Sequence, residues 1–343
     1  MARQLHRIGM ESDFIILYNS KPDFNIPEYI HTYSLGIDSK SPVIKIILQI
    51  MQNISGVNSF LAGREYVLMT AHLPMAQILA AFTKGKKKCL YVMHGTQHLT
   101  DQKSSPFYKM GLRIFLRGKK IVTVSNGLRN ELVNEYGIKP DHVITIYNPC
   151  SVSTIKAQAQ TEFPHTRHYI LVMGRLEKEK NPLLALELYV KGKIFHEYDL
   201  IYLGKGSLEE ELREKIEEYR LQSHVHLMGF QSDVGKWFKN ASLLLSCSRQ
   251  EGLPLNLVEA LICKTPVVAT DCPYGPNEIL TGELAKYLIE PEQNFQESIQ
   301  TVVSALKFYP EITEAYYDKF EDDVIVQKYL DAWRKWFGKN RRV

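Results

Sequence analysis

Short apolar runs alternate with amphipathic stretches along this chain of 343 residues. Five runs in the first half have the length and composition of buried strands, namely residues 14–18, 66–69, 89–93, 120–124 and 142–147. Helical stretches separate several of them. Such alternation indicates a parallel sheet, because parallel strands need a crossover connection between them. The fold class that we predict is therefore α/β.

A polar segment at residues 156–168 interrupts this pattern and predicts a linker between two domains. The first domain would span residues 1–155, and the second would span residues 169–320, beginning with an apolar run at 169–173. Residues 321–343 form a last helical stretch that ends in a basic tail. The length is normal for two domains with separate cores.

Charge differs between the two halves of the chain. Residues 1–150 hold 18 Lys and Arg against 10 Asp and Glu, a balance of +8, whereas residues 151–343 have a balance of −4. The cations concentrate around Lys84–Lys88 and at Arg113, Arg117, Lys119 and Lys120. This pattern favours a peripheral contact with an anionic membrane. Ordinary solvated lysines are the alternative, and no nucleic-acid-binding motif accompanies the charge.

Cysteine usage and the lack of apolar spans bear on localisation. The five cysteines are an odd number, widely scattered, without the paired spacing of a zinc site. The N-terminus has no apolar core of signal-peptide length, and no run approaches the roughly 18 apolar residues of a membrane span. We expect a cytoplasmic protein.

The segment Glu251-Gly-Leu-Pro-Leu-Asn-Leu-Val-Glu259 follows the apolar run 241–248 and is the most informative stretch of the chain. Pro254 favours a helix that begins there, with Glu251 before it and Glu259 about one and a half turns inside. A helix N-terminus attracts phosphate, and carboxylates accept hydrogen bonds from vicinal hydroxyls. That order of groups fits a nucleotide sugar, although two Glu residues at this spacing are also common on solvated helices.

Two cations follow the apolar run at 169–173. Arg175 lies just after it, and Lys180 precedes Asn181-Pro182, which is a helix-start signal. Prepositioned cations at such a point would stabilise the charge that builds on a departing diphosphate. A solvated charge run, in which these cations pair with nearby glutamates, is the alternative.

These features, in this order, resemble the C-terminal domain of retaining glycosyltransferases of family 4, which have the GT-B architecture. The matching pieces are Gly174-Arg175-Leu176 with Lys180, Gly204-Lys-Gly206, Val225 to Phe230, Glu251 to Glu259, and Thr265 to Thr270. Residues 271–280 further resemble bacterial transferases that build lipopolysaccharide, capsule or lipid-linked oligosaccharides. The resemblance implies two facing Rossmann-like domains, a donor cleft between them, a last helix that returns to the first domain, and no required metal.

The resemblance also implies roles for individual residues. Arg175 and Lys180 would hold the diphosphate, Glu251 the transferred sugar and Glu259 the ribose. Four further residues of the matching pieces are predicted to line the donor site, namely Gly204, Phe230, Leu255 and Asn256. The backbone N–H groups near Leu255 and Asn256 would meet the distal phosphate.

Three residues of the first half extend this site by position. His94 follows the run 89–93, at what would be the carboxyl end of a strand, and the family places a histidine or its neighbour against the donor sugar there. Ser125 and Asn148 also follow predicted strands, although a helix cap and a turn residue would explain them equally well.

One departure from the family concerns the start of the chain. Such proteins usually open with a strand and a glycine-rich turn, whereas residues 1–9 have the pattern of the middle of a first helix. We therefore expect the first strand of the family fold to be missing.

The sequence predicts transfer of a hexose or N-acetylhexosamine from a UDP-sugar to a sugar hydroxyl of a bacterial surface glycan or lipid-linked acceptor. Retention at the anomeric carbon and a position at the cytoplasmic face of the inner membrane are part of this expectation. A nucleotide-sugar epimerase and a non-catalytic GT-B partner subunit remain as alternatives.

Overall fold

The computed structural model describes residues 2–18, 26–38, 41–62, 66–95, 106–161, 163, 165 and 167–338. Contacts divide the chain into two compact units. Unit 1 comprises Met1–Val124, Arg129–Ile146 and Asp323–Val343, and unit 2 comprises Ser125–Leu128 and Tyr147–Asp322.

Elements that lie wholly or mainly in unit 1 form two parallel sheets with helices. In chain order they are α1 (Ala2–Arg7), β1 (Asp13–Tyr18), β2 (His31–Ile37), α2 (Val43–Leu61), β3 (Met69–His72), α3 (Pro74–Phe82), β4 (Cys89–Met93), α4 (Pro106–Leu116), β5 (Lys120–Thr123), α5 (Asn126–Asn134) and β6 (Val143–Thr145). The sheet orders are β1-β2 and β3-β4-β5-β6, all with parallel neighbours. Strand β4 is buried at every position, as a strand of a parallel sheet must be when both faces are covered.

Helix α2 shows how the sequence assembles this unit. Its inner face places Ile46, Ile50 and Val57 in one apolar cluster with Leu17 of β1 and Ile37 of β2. These spacings follow the helical period, so one stripe of the helix covers the small sheet. Burial of each such side chain contributes about 1.5–3 kcal/mol.

Unit 2 is built on one larger sheet. Its elements are α6 (Val152–Gln158), β7 (Tyr169–Met173), α7 (Pro182–Lys191), β8 (Asp199–Leu203), α8 (Glu209–Glu218), β9 (Val225–Leu227), α9 (Gly235–Asn240), β10 (Leu243–Ser246), α10 (Leu255–Ile262), β11 (Val267–Thr270), α11 (Pro276–Ile279), β12 (Leu288–Ile289) and α12 (Phe295–Lys307). The last helix, α13 (Asp322–Phe337), begins at the end of unit 2, and its other residues belong to unit 1.

The six strands of unit 2 are parallel and lie in the order β12-β11-β10-β7-β8-β9. Counted from the first strand of the unit, this is the order 6-5-4-1-2-3 of the doubly wound nucleotide-binding fold. The strand order reverses direction between β7 and β10, so the chain leaves these two neighbours toward opposite sides. Ligands of such sheets bind at the carboxyl ends of the strands at that point.

The α/β class and the parallel sheets predicted from the sequence are confirmed, but three elements need correction. The strand predicted at 66–69 is β3 at Met69–His72, because its residues pair with β4 from Met69↔Cys89 onward. Strand β2 was not predicted. The predicted linker at 156–168 begins inside helix α6, which buries Ile155.

None of the described helices has both the length and the apolar character that crossing a bilayer requires.

Candidate active site

The carboxyl ends of β7 and β10 enclose a small pocket in unit 2. Its lining includes Gly174 and Arg175 after β7, Lys180 before α7, and Ser246 to Ser248 at the end of β10. This is the point at which the strand order of the sheet reverses. Both predicted cations, Arg175 and Lys180, therefore lie where proteins of this fold class bind their ligands.

Lys180 and Glu251 meet at this pocket. The Lys180 Nζ lies 2.5 Å from the Glu251 Oε1, and the Ser248 hydroxyl donates to the same oxygen over 2.6 Å. Glu251 is only 6% exposed, and burial of a carboxylate is costly unless it is paired and hydrogen-bonded. The loops that carry the pair are joined by a hydrogen bond from the Arg249 N–H to the Glu179 carbonyl, 2.8 Å long.

The turn between β7 and α7 holds Lys180 in place. Asn181 has a left-handed backbone, with φ of 50°, and asparagine is one of the residues that tolerate this conformation. Pro182 is the first residue of α7, as the sequence predicts. Arg175 lies at the other end of this turn with an exposed side chain.

Helix α10 begins at Leu255, one residue after Pro254, so the helix predicted to start near Pro254 is present. The N–H groups of Leu255 and Asn256 belong to its first turn and need acceptors from outside the helix. The Asn256 side chain donates to the carbonyl of Met173, the last residue of β7, over 3.0 Å. The helix start is thereby fixed at the same end of the sheet as Lys180 and Glu251.

Glu259 lies one turn into α10 and is largely buried. Burial raises the pKa of its carboxyl group to about 7. Burial, together with the charge of Glu259, raises the pKa values of the nearby Cys150 and Cys263 thiols. Within the described part of the chain, the Glu259 side chain forms no hydrogen bond, so its oxygens remain available to hydroxyl donors.

Gly204 has a steric reason to be glycine. A Cβ atom at this position would lie 1.9 Å from the Gly174 carbonyl oxygen. The loops after β7 and β8 can therefore lie this close to each other only because residue 204 has no side chain. The Gly204 N–H donates to the Gly229 carbonyl over 2.8 Å. Phe230, the next residue, is 64% exposed. These two predicted positions therefore lie after the ends of the neighbouring strands β8 and β9.

His94 belongs to unit 1, where it follows β4. Its Nε2 lies 2.9 Å from the Nδ1 of His72, the last residue of β3. Burial lowers the pKa of His94, and burial together with His94 lowers the pKa of His72 to about 4. His72 was not predicted from the sequence, because the strand that carries it was placed three residues too early.

Ser125 and Asn148 take different positions within unit 2. Ser125 directly precedes α5, and its buried hydroxyl has no hydrogen-bond partner in the part of the chain that the structure describes. Asn148 lies three residues beyond β6 and is partly buried.

Glu278 is a further residue that the sequence did not single out. Its carboxylate accepts hydrogen bonds from the N–H groups of Asn126 and Gly127, 2.8 and 3.0 Å long, and from the Tyr147 hydroxyl over 3.0 Å. These N–H groups are the first of α5, so a side chain distant in sequence caps this helix. Burial and the Glu278 charge raise the pKa of Tyr147.

Comparison with known proteins gives the same class. Residues 153–317 match the family model described as glycosyl transferases group 1, and residues 1–153 match the model described as glycosyltransferase family 4. A relative from Campylobacter jejuni, N-acetylgalactosamine-N,N'-diacetylbacillosaminyl-diphospho-undecaprenol 4-alpha-N-acetylgalactosaminyltransferase, is 26% identical over 291 residues, which are 80% of this chain and 77% of the relative. Two other relatives are matched over 64% and 50% of their own length.

Solved structures share the fold. Sucrose-phosphate synthase from Thermosynechococcus elongatus matches with a TM-score of 0.78 at 15% identity, over 99% of this chain and 92% of that protein. The Anabaena protein HepE in complex with UDP and glucose matches with a TM-score of 0.63 at 15% identity, over 88% of this chain and 85% of that protein.

Strand order, site and comparisons together define a glycosyltransferase of GT-B architecture. The glycosyltransferase family 4 model matches the first half of the chain and the glycosyl transferases group 1 model matches the second, so that the two together cover residues 1–317. The resemblance stated from the sequence is thereby confirmed.

Proposed function

We propose that this glycosyltransferase moves a hexose or N-acetylhexosamine from a UDP-sugar to a sugar hydroxyl of a bacterial surface glycan or lipid-linked acceptor, with retention of the anomeric configuration. One observation carries the donor part of this proposal. Lys180, Glu251 and the start of α10 lie together at the carboxyl ends of β7 and β10, where the strand order reverses. A diphosphate and a sugar can be held at such a place by cations, helix N–H groups and a carboxylate.

Each group of the donor has a proposed partner. Arg175 and Lys180 bind the diphosphate, and the N–H groups of Leu255 and Asn256 bind its distal phosphate. Glu251 accepts hydrogen bonds from the transferred sugar, and Glu259 from the ribose hydroxyls. The choice of uridine is supported by the similarity of fold to HepE, which was solved with UDP and glucose.

Five other residues have proposed supporting roles toward the donor. His94 contacts the transferred sugar, and the loops after the neighbouring strands β8 and β9 contribute Gly204 and Phe230. The Ser125 hydroxyl and the Asn148 side chain are donors or acceptors for the same ligand. The Ser125 hydroxyl has no hydrogen-bond partner among the described residues, which supports its inclusion because a buried hydroxyl without a partner is costly.

The proposed reaction is a substitution at the anomeric carbon. The acceptor oxygen forms a bond to this carbon on the face from which the distal phosphate oxygen departs, and the acceptor proton passes to that departing oxygen. The products are the glycoside and UDP. Arg175 and Lys180 stabilise the charge that builds on the diphosphate, and binding in a fixed orientation supplies much of the remaining rate.

The acceptor class follows from the relatives. The Campylobacter relative, by its name, adds N-acetylgalactosamine to a saccharide on diphospho-undecaprenol. Two further relatives are named poly(ribitol-phosphate) alpha-N-acetylglucosaminyltransferase, from Staphylococcus aureus, and lipopolysaccharide 1,6-galactosyltransferase, from Salmonella typhimurium. We therefore assign a glycan or a lipid-linked saccharide as acceptor. The family models favour this transferase over the nucleotide-sugar epimerase.

A surface of unit 1 supports the proposed contact with an anionic membrane. Helix α2 exposes Ile44, Leu48 and Met51, which are 75%, 57% and 44% accessible and lie along one stripe. The neighbouring 3-10 helix Lys84–Lys88 carries four lysines and is joined to α2 by a hydrogen bond from the Lys84 N–H to the Asn58 side chain, 2.8 Å long. Neither helix contains an acidic residue. An apolar stripe beside clustered cations fits an anionic leaflet.

Thermal unfolding with nucleotides tests the donor site. A ligand that binds only the folded state stabilises it by about 2.7 kcal/mol at one hundred times its Kd. We therefore expect UDP to raise the unfolding temperature, and to raise it more than GDP or ADP does. Glu259→Ala should lose this shift, whereas Glu187→Ala, at an exposed position of α7, should keep it. If no nucleotide shifts the transition, the proposed donor site is wrong and the non-catalytic partner becomes the better interpretation.

A further inference from the structure

The two histidines of unit 1 form a pair that the proposed reaction uses only in part. His72 ends β3 and His94 follows β4, and these neighbouring strands are in register with His72 opposite Val92. Both imidazoles therefore lie at the carboxyl edge of one parallel sheet. Their rings are 5.2 Å apart, and the Nδ1 of His72 is 2.9 Å from the Nε2 of His94.

A contact of this length between two ring nitrogens needs one proton, because one nitrogen must donate and the other must accept. The lowered pKa values of both groups keep both rings neutral at neutral pH. Apart from the two histidines themselves, no titratable group of the described residues contributes to these pKa values.

Because both rings are neutral, the protonation of the two nitrogens outside the contact, the Nε2 of His72 and the Nδ1 of His94, is linked. If His72 donates, its Nε2 has no proton and the Nδ1 of His94 has one. If His94 donates, the Nδ1 of His94 has no proton and the Nε2 of His72 has one. In the described part of the chain, neither the Nδ1 of His94 nor the Nε2 of His72 has a hydrogen-bond partner, and the Nδ1 of His94 belongs to the residue for which a sugar contact is proposed.

We propose that His72 is a positioning residue, which holds His94 in one tautomer and one ring orientation so that its Nδ1 meets the donor sugar. This inference rests on the proposed function for the sugar contact of His94. The hydrogen bond between the rings does not depend on that function.

A nitrogen-shift NMR measurement on the ligand-free protein tests the hydrogen bond without any assay of activity. In the wild type, we expect the ring nitrogens of His94 to show a single tautomer at pH 7. In His72→Phe, which keeps a ring but has no nitrogen, they should show an averaged pattern. His31→Phe, at an exposed position of β2, is the matched control and should leave the wild-type pattern. An unchanged His94 pattern in His72→Phe would overturn the proposal.

A double-mutant cycle on transfer kinetics tests how His72 acts. His72→Phe should lower kcat/KM about tenfold in the wild-type background and have no further effect in His94→Ala, because residues that act through one another are not additive. An equal loss in both backgrounds would show that His72 acts independently of His94. His72→Asn, which can still donate or accept, should recover part of the activity.

The two proposals fail in distinguishable ways. If His94→Ala has wild-type kinetics, the sugar contact assigned to His94 is wrong, while the NMR result still decides whether His72 fixes its tautomer. If His94→Ala lowers kcat/KM but the effects of His72→Phe and His94→Ala are additive, the sugar contact stands and the positioning role of His72 is wrong.

Discussion

At the scale of single residues, Glu259 shows the clearest conflict between stability and binding. Its carboxyl group has a pKa of about 7 because it is buried without a hydrogen-bond donor among the described residues. Charge at this position destabilises the ligand-free fold, and hydroxyl donors of a ligand would relieve that cost. A residue that weakens the empty protein but fits a ligand is typical of a binding site.

We expect Glu259→Gln to stabilise the ligand-free protein above pH 7. The unfolded carboxyl group ionises near its ordinary pKa of 4.5 and the folded one near 7, so the native state holds the extra proton between these values. Wild-type stability should therefore fall as the pH rises from about 4.5 to 7, and the neutral amide of the variant should remove a loss of roughly 3 kcal/mol.

Denaturant unfolding at pH 5 and pH 8 measures this effect, with Glu187→Gln as the exposed control. A difference between Glu259→Gln and wild type that is equal at both pH values would contradict the buried, raised pKa.

Lys180 supports the second prediction at this scale. Lys180→Met keeps the length of the side chain but removes the cation beside Glu251 and the proposed diphosphate. We expect kcat to fall by about 10²–10³, as for loss of one group that stabilises developing charge, with a smaller change in KM. Lys178→Ala, at an exposed position of the same turn, is the control. Steady-state kinetics decide the matter, and an unchanged kcat would remove Lys180 from the mechanism.

The sequence located Lys180 and Glu251 because each follows an apolar strand and precedes a helix start. It could not locate their mutual ion pair or the Ser248 hydroxyl that completes it, because these contacts depend on how two distant loops meet. His72 was missed for a related reason. The pairing of β3 with β4 decides where β3 ends, and local composition does not specify that register.

At the scale of elements, the start of α5 illustrates a long-range cap. Its first N–H groups donate to the Glu278 carboxylate, which lies about 150 residues away in the chain. Local sequence indicates caps only from the residues at the helix end itself, and a helix cap was the alternative explanation for Ser125. The structure instead leaves its hydroxyl without a hydrogen bond to any described residue.

We expect Glu278→Ala to destabilise the fold by about 1–2 kcal/mol, because three donors lose a charged acceptor that is partly exposed. Glu278→Gln should lie between this variant and the wild type, since an amide retains one acceptor oxygen. Glu283→Ala, at an exposed position, is the control for unfolding by denaturant. Equal stability of Glu278→Ala and wild type would show that water replaces the cap without cost.

At the scale of the whole molecule, charge and exposed apolar surface point to the same face of unit 1. The sequence established that residues 1–150 carry a balance of +8. The sequence could not show which of these cations lie at the proposed membrane contact. The structure distinguishes two groups of lysines by their surroundings. Lys119 and Lys120 lie over aromatic rings, whereas the lysines of Lys84–Lys88 lie beside the exposed stripe of α2.

This face should bind anionic vesicles in a manner that depends on salt. We expect flotation with vesicles that contain phosphatidylglycerol at low salt, and little with purely zwitterionic vesicles. Each lysine near the surface contributes about 1 kcal/mol, and salt screens this attraction. Replacing Lys86, Lys87 and Lys88 by Gln should therefore weaken the association strongly. Replacing Lys191, Lys193 and Lys215 of unit 2 removes the same charge elsewhere and should have little effect.

The apolar stripe contributes to the same association by a different force. Leu48→Ser should weaken vesicle binding at every salt concentration, because burial of an apolar side chain in the leaflet does not depend on screening. The lysine variant should differ from wild type mainly at low salt. Equal flotation of both variants and wild type would exclude this face as the membrane contact. Salt-dependent self-association without vesicles would instead identify a second copy of the chain as its partner.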